Sequence, residues 1–298
     1  MYAMDLTPAV TLLAVPDRAT AAVHQGMYGY SENVTGKRIF CIWDPPAGMT
    51  ASAIKAYFVT TAALYEATEC GALAWPRVKV TNPNRTVYGN EDTLVVCNSG
   101  HWAARMAKND NRPGGLYEQP AGIDYGKFDS VVGVETDEVL DEGKRDLLYP
   151  VNINPIWSYT GSGGFIVDGG RCAKGTGNFP FIAHRRGASY IEQTMKAGIQ
   201  FARHRNNNRT LRARCDRTLR MFLLQQMGLN AFASQDPASA FYLDFDVAGI
   251  GLNNAVVQYA RQLKARIGLA FSTPAEFVWI DFSADLRAIE AALFSEAA

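Results

Sequence analysis

A mixed α/β fold, part α/β and part α+β, is predicted for this 298-residue chain by three features. Short apolar runs alternate with helix-forming stretches over residues 10–110, the pattern of strands joined by helices, with some parallel pairing. Two strong helical segments fill much of 188–227, with apolar residues at roughly helical spacing. Strand-like runs then follow. Two α/β regions with mixed sheets flanked by helices are expected, about 1–155 and 156–298, since a chain this long accommodates about two domains of ~100–200 residues each.

In chain order, Val10 to Val15 is an apolar run stopped by Pro16 and reads as a buried strand. Thr20 to Tyr30 reads as a helix. Arg38 to Trp43 is a second buried strand, closed by Asp44-Pro45-Pro46. Thr50 to Thr68 is alanine-rich and free of Gly and Pro, so a helix is predicted with Thr50 or Ser52 as its N-cap. Val78 to Thr81 and Thr93 to Cys97 are further strands. Residues 109–127 and 158–180, rich in Gly, Pro and Asn, read as long loops. Between them Asp129 to Asp146 holds seven carboxylates against Lys144 and Arg145. Ala188 to Arg205 and Thr210 to Met227 are predicted helices separated by Asn206-Asn207-Asn208. In the second, Leu211, Cys215, Leu219, Phe222 and Met227 recur at helical spacing, and Gly228 is the expected C-cap. Phe241–Val247, Lys264–Phe271 and Phe277–Phe282 read as strands that share one sheet. Asp285 to Phe294 reads as a terminal helix.

Hydrophobic residues make up 48% and charged residues 19%, which fits a globular protein and excludes a disordered tail or a collagen-like rod. The net charge is zero, so there is no global case for nucleic acid or an anionic membrane as partner. A neutral surface also offers little repulsion against self-association. The five cysteines form no CxxC pair or Cys/His cluster, so zinc and a redox dithiol lack support and free, buried thiols are expected. Asp5 and Pro8 stand where a signal peptide needs a basic start and an apolar run. No apolar stretch approaches the ~20 residues of a membrane span. A soluble chain, not classically secreted, is expected.

Candidate chemistry is sparse. Gly161 to Gly177 resembles a phosphate-binding loop only in glycine content: the order is Lys174-Gly175-Thr176, and Pro180 follows where a helix should. Asn98-Ser99-Gly100-His101 sets a serine beside a histidine, yet it is not G-x-S-x-G, and sequence neighbours rarely face one another as nucleophile and base. His24, His101, His184 and His204 lack metal-ligand spacing. Asp137, Glu138, Asp141 and Glu142 lack the alternation and central glycine of a calcium loop. No catalytic residue, cofactor or metal is assigned. The alternatives kept open are an α/β hydrolase or nucleotide-binding enzyme using Ser99, His101 or the glycine-rich loop, and an RNA-binding module using Arg203 to Arg220. RNA lacks an interleaved aromatic platform here. From His184 to Arg220 nine arginines and one lysine face only Glu192 and Asp216. That excess marks either a solvated helix face or an interface, since arginine forks pair well with carboxylates.

Several signatures occur in a characteristic order. Ala72-Leu73-Ala74-Trp75-Pro76 comes first, then Ser99-Gly100, Ala103, Ala107, Asp110, Gly114 or Gly115, and Pro120-Ala121. Arg185-Arg186 and Tyr190-Ile191-Glu192 follow, then Asn253 or Asn254 between strands, and Pro274-Ala275-Glu276-Phe277. Together they resemble the tail sheath proteins of contractile phages and related injection devices. Two departures stand out. Val167-Asp168-Gly169-Gly170-Arg171-Cys172 replaces the family's tryptophan before Gly-x-Arg-Thr, and the amino-terminal part is shorter than the family's core and arm.

The resemblance implies a tail-sheath-like fold, with the carboxyl-terminal region carrying an assembly arm. It implies a structural subunit that polymerises helically around a tail tube and contracts to drive the tube through a host envelope. Its partners would be further copies of itself, the tail tube protein, and baseplate and tail terminator proteins, with neither nucleic acid nor membrane insertion. It would reside in a virion tail after assembly in the host cytoplasm. The expected interface residues are Arg203, Arg205, Arg209, Arg212 and Arg217, facing acidic groups such as Asp137–Glu142 of a neighbour, and Phe277, Val278, Ile280 and Phe282 on a linking strand.

Overall fold

A computed structural model describes residues 11–87, 89–136, 138, 141–158 and 163–276. Its mixed α/β architecture is the predicted class. The central sheet pairs β1 (Leu12–Ala14), β2 (Phe40–Trp43), β3 (Gly71–Trp75) and β7 (Asn154–Trp157) in parallel, and β8 (Ile166–Val167) adds antiparallel to β7. The period-2 geometry of a strand sends alternate residues to opposite faces. Cys41, Trp43, Leu73 and Trp75 enter one core, with Met27 of α1 (Ala21–Asn33), Ile54 of α2 (Ala51–Ala56) and Leu148 of α5 (Glu142–Leu148). Phe40, Ile42, Ala72 and Ala74 enter the other, with Trp102 and Met106 of α3 (Ser99–Asp110). A parallel sheet covered on both faces needs apolar residues at every position, so these strands read as unbroken runs.

Thr50 caps α2, its Oγ1 accepting from Ala53 N at 3.2 Å. The predicted helix to Thr68 instead ends in a π-helical turn, Tyr57–Thr61. The chain must reverse to lay Gly71 beside Cys41, and it does so with Ala63 and Glu66 in the left-handed region. Tertiary demand overrides local propensity here. The sequence pattern left several elements unread, two of them beside the central core. Gly71–Trp75 is itself a central strand. In α3, the spacing of Ser99, Trp102, Met106 and Asn109 was the available helical signal, and all four are buried.

A second sheet, β5-β4-β6, is antiparallel, built from β4 (Val78–Thr81), β5 (Thr93–Val96) and β6 (Val131–Val134). The last strand arises within the acidic segment. The central sheet continues through β7 and β8, past the boundary expected at residue 155. A third core begins only with α6 (Ile182–Gly198), joined by α7 (Arg209–Gly228), α8 (Pro237–Ala240), and β9 (Phe241–Asp244) antiparallel to β10 (Arg266–Leu269). The expected strands at 241–247 and 264–271 thus share a sheet. The segments Phe277–Phe282 and Asp285–Phe294 lie outside the described residues.

His24 is buried at 2% exposure against Trp43 and Tyr57, with Nδ1 3.1 Å from the Tyr57 hydroxyl. Burial lowers its pKa from 6.5 to about 4. The unfolded chain therefore binds a proton that the folded chain refuses. His24 contributes stability that is complete above about pH 6.5 and is lost as pH falls toward about 4. That contribution is on the order of 3 kcal/mol. In denaturant titrations across this window, His24→Phe is expected to lose stability less steeply than the parent. Parallel slopes would refute the assignment.

Candidate assembly surfaces

The catalytic candidates are tied into the fold. Ser99 is fully buried; its N–H and hydroxyl both donate to the Asp44 carboxylate, at 2.8 and 2.7 Å. This ties the start of α3 to the end of β2. His101 packs edge-on against Phe128, 6.2 Å between ring centres, while the Ser99 hydroxyl is given to Asp44. The glycine-rich loop gives its amides to this chain's own carboxylates. Gly175 N donates to Glu66 at 2.9 Å and Asn178 N to Glu69 at 2.6 Å. Burial alone would raise the Glu66 carboxyl, but hydrogen bonds from Thr176, Gly175 and Asn152 hold it below its ordinary range. The amides of Gly175, Thr176 and Asn178 are thus engaged within the chain itself.

The arginines divide into two groups. Arg203, Arg205, Arg209, Arg214, Arg217 and Arg220 are exposed. Arg203 and Arg205 line a groove with Lys196, His204 and Arg261, a basic surface between the end of α6 and the turn after α9 (Ala255–Tyr259). Arg214 lies over the Phe201 ring at 4.2 Å, and Arg220 pairs with Asp216 at 3.3 Å. Arg212 corrects the expectation for its position: it is 5% exposed and turned inward. Its Nε donates to Val247 O at 3.1 Å and its Nη1 to Asn207 Oδ1 at 2.9 Å. It staples the β9–β10 connection to α7 and presents no guanidinium to a partner. In the acidic segment, Glu138 accepts from Ala51 N at 2.9 Å and Asp141 caps α5. Glu142 is exposed, and Asp137 lies outside the described residues.

The sequence signatures turn out to be halves of long-range contacts. Arg186 forms a forked pair with Asp110, 76 positions away. Arg185 contacts Ser189, Glu192 and Glu69 and lies over the Phe179 ring. Arg171 makes a two-pronged pair with Glu276, 105 positions away. Asn253, rather than Asn254, is the buried stitch: its Nδ2 donates to Phe245 O and Lys264 O, and its Oδ1 accepts from Lys264 N, each at 2.8 Å. Asn254 caps α9.

The β9–β10 sheet buries Phe241 and Leu243 and exposes Tyr242 and Ile267. Among the described residues it has two strands, and a single bridge, Phe232 to Phe271, lies beside its end. Unpaired strand edges are templates for another strand. Residues Phe277, Val278, Ile280 and Phe282, expected on a linking strand, lie outside the described residues.

Neither protein-family models nor curated proteins match this sequence. Solved structures do resemble it. A chain of the anti-feeding prophage baseplate, 6-fold symmetrised, superposes with a TM-score of 0.74 at 21% identity, covering 95% of this chain and 70% of that one. A chain of the anti-feeding prophage helical sheath in the contracted state gives 0.74 at 22% identity, with 95% and 72% covered. A chain of the PVC sheath complex, an extracellular contractile injection system in the contracted state, gives 0.72 at 21% identity, with 94% and 72% covered. The likeness spans all three cores described above, and this chain has a sheath-like fold.

Proposed function

We propose that this chain is a structural subunit of a contractile sheath, assembling helically with copies of itself around a tube. The observation that carries the reading is the sheath-like fold over nearly the whole chain, with a β9–β10 sheet that has two strands among the described residues. Strand addition suits a polymer, because main-chain hydrogen bonds tolerate sequence change and terminal arms flex between states. Each contact joins unlike surfaces, and a rotation that does not close propagates a helix. Contraction is then rigid-body repacking of subunits from a kinetically held form to a more stable one. A difference of only ~1–3 kcal/mol per subunit becomes decisive when many switch together. The exposed arginines face carboxylates of the tube or of a neighbour, and the remaining partners are baseplate and terminator proteins. The particle is tail-like, and drives its tube through a target envelope.

Negative-stain microscopy of the purified chain, alone and with its tube, is expected to show rings or tubes with a regular repeat. Ordered assembly absent in both would count against the reading. Arg203, Arg205, Arg209 and Arg217 changed together to Glu should remove most assembly around the tube at low salt, and high salt should do the same to the parent. No single one of them should be decisive, since exposed pairs are worth only ~0–1 kcal/mol. Unchanged assembly and salt sensitivity in the fourfold variant would sink the role given to this face.

A further inference from the structure

The end of α6, the connection to α7 and the segment after α9 enclose a groove of about 1050 Å³ whose floor and rim differ in kind. The floor is apolar. Ile199, Ala202, Leu211 and Leu263 pack against the third core yet are only half-buried, so this edge of the core faces solvent. The rim is cationic. Lys196, Arg203, Arg205 and Arg261 are exposed, and no carboxylate is among the described side chains that line the groove. The two walls are already joined. Asn207 Nδ2 donates to Gln262 O at 3.1 Å, and Asn207 Oδ1 accepts from the inward-turned Arg212 at 2.9 Å. An apolar floor left in water is unfavourable, and like charges gathered around it repel one another. A ligand that covers the floor and neutralises the rim relieves both.

We propose that this groove docks an extended, acidic peptide segment of a partner protein, its apolar side chains on the floor and its carboxylates on the rim. Successive side chains of an extended chain point to opposite sides. A segment that alternates acidic and apolar residues therefore sets one row on the floor and offers the other to the long side chains of the rim. The arginines hold carboxylates through paired N–H donors. Because Asn207 fixes the walls beforehand, docking needs little ordering of the groove itself. Nucleic acid fits less well. Single strands stack on aromatic platforms, whereas this floor is aliphatic, and the ring of Phe201, between two lining residues, is covered by Arg214 at 4.2 Å. The place of such a segment in an assembly rests on the sheath reading, and there it narrows the partner of this basic face from carboxylates in general to an acidic peptide.

Fluorescence anisotropy with the full chain and short labelled probes tests the groove without requiring a polymer. A peptide of alternating Glu and Leu should bind about ten-fold more tightly than the same peptide with Gly in place of Leu, because only the first covers the floor. Arg203→Glu combined with Arg261→Glu should weaken that binding about ten-fold or more. Thermal melting of this variant should match the parent, since both positions are exposed. Arg85→Glu, at an exposed arginine in the connection between β4 and β5, should leave the affinity within about two-fold. Equal affinities for the two peptides overturn the proposal, because charge alone would then explain binding. An equal loss in Arg85→Glu overturns it for the same reason, and so does a Glu-Leu peptide that fails to bind. Tighter binding of an oligouridylate of equal charge would assign the groove to nucleic acid and overturn it as well. Microscopy of the parent reads the sheath proposal separately: a chain that forms tubes but ignores the peptide sinks the groove alone.

Discussion

Gly71→Ala is expected to cost about 3 kcal/mol or to block folding, measured by chemical denaturation or by yield of folded protein. A Cβ built on Gly71 would stand 2.4 Å from Trp43 Cη2 and 2.5 Å from its Cζ2, far inside contact distance. Neither neighbour has room to move. β2 and β3 are locked in register by Cys41 opposite Gly71 and Trp43 opposite Leu73. Trp43 is fully buried, with Tyr28 and Phe58 each 6.4 Å from it between ring centres. Close-packed interiors do not absorb an added methyl where a rigid ring already fills the space. Gly29→Ala is the control. Gly29 lies in α1 and its Cβ would meet nothing within 4 Å, so this change should be neutral or stabilise by up to about 1 kcal/mol. A Gly71→Ala protein as stable as the parent would show that the β2–β3 packing is wrong.

The second large effect separates one arginine from its neighbours. Arg212→Ala should destabilise by about 2–3 kcal/mol, because it removes a buried fork and leaves the half-buried groups it binds without their donor. Arg203→Ala, Arg205→Ala and Arg209→Ala should each stay within about 0.5 kcal/mol, as exposed positions do. The carbonyls of Val247 and Ala248 are among those groups, and both belong to the connection between β9 and β10. Proteolysis should therefore cut the Arg212→Ala protein first within residues 245–264. Equal stability across all four variants would refute the inward role. The same contrast governs charge reversal: a loss of assembly in a variant carrying Arg212→Glu would report unfolding, so the assembly test leaves this residue alone.

The sequence by itself determined the elements whose residues carry their own instructions. Unbroken apolar runs required a sheet buried on both faces, which β2 and its neighbours form. Thr50 announced a helix start, and its hydroxyl accepts from the amide three residues on. The order of the signatures was legible too, and it pointed to the sheath-like fold seen in the superpositions.

Tertiary structure decided the rest, for reasons visible at particular residues. The helical spacing in α7 was read through Leu211, Cys215, Leu219, Phe222 and Met227, whereas its buried face runs through Arg212, Cys215, Leu219, Leu223 and Gln226. The period was right, but charge was taken as a mark of the surface, and a guanidinium surrounded by backbone carbonyls breaks that rule. Arg171 and Glu276 were each noticed as part of a signature, yet nothing local could pair them. Their meeting depends on the path of the chain through two cores. Arginine's long fork serves equally on a solvated face, in a buried staple and in a forked ion pair, and only the fold places Arg203 in the first, Arg212 in the second and Arg171 in the third.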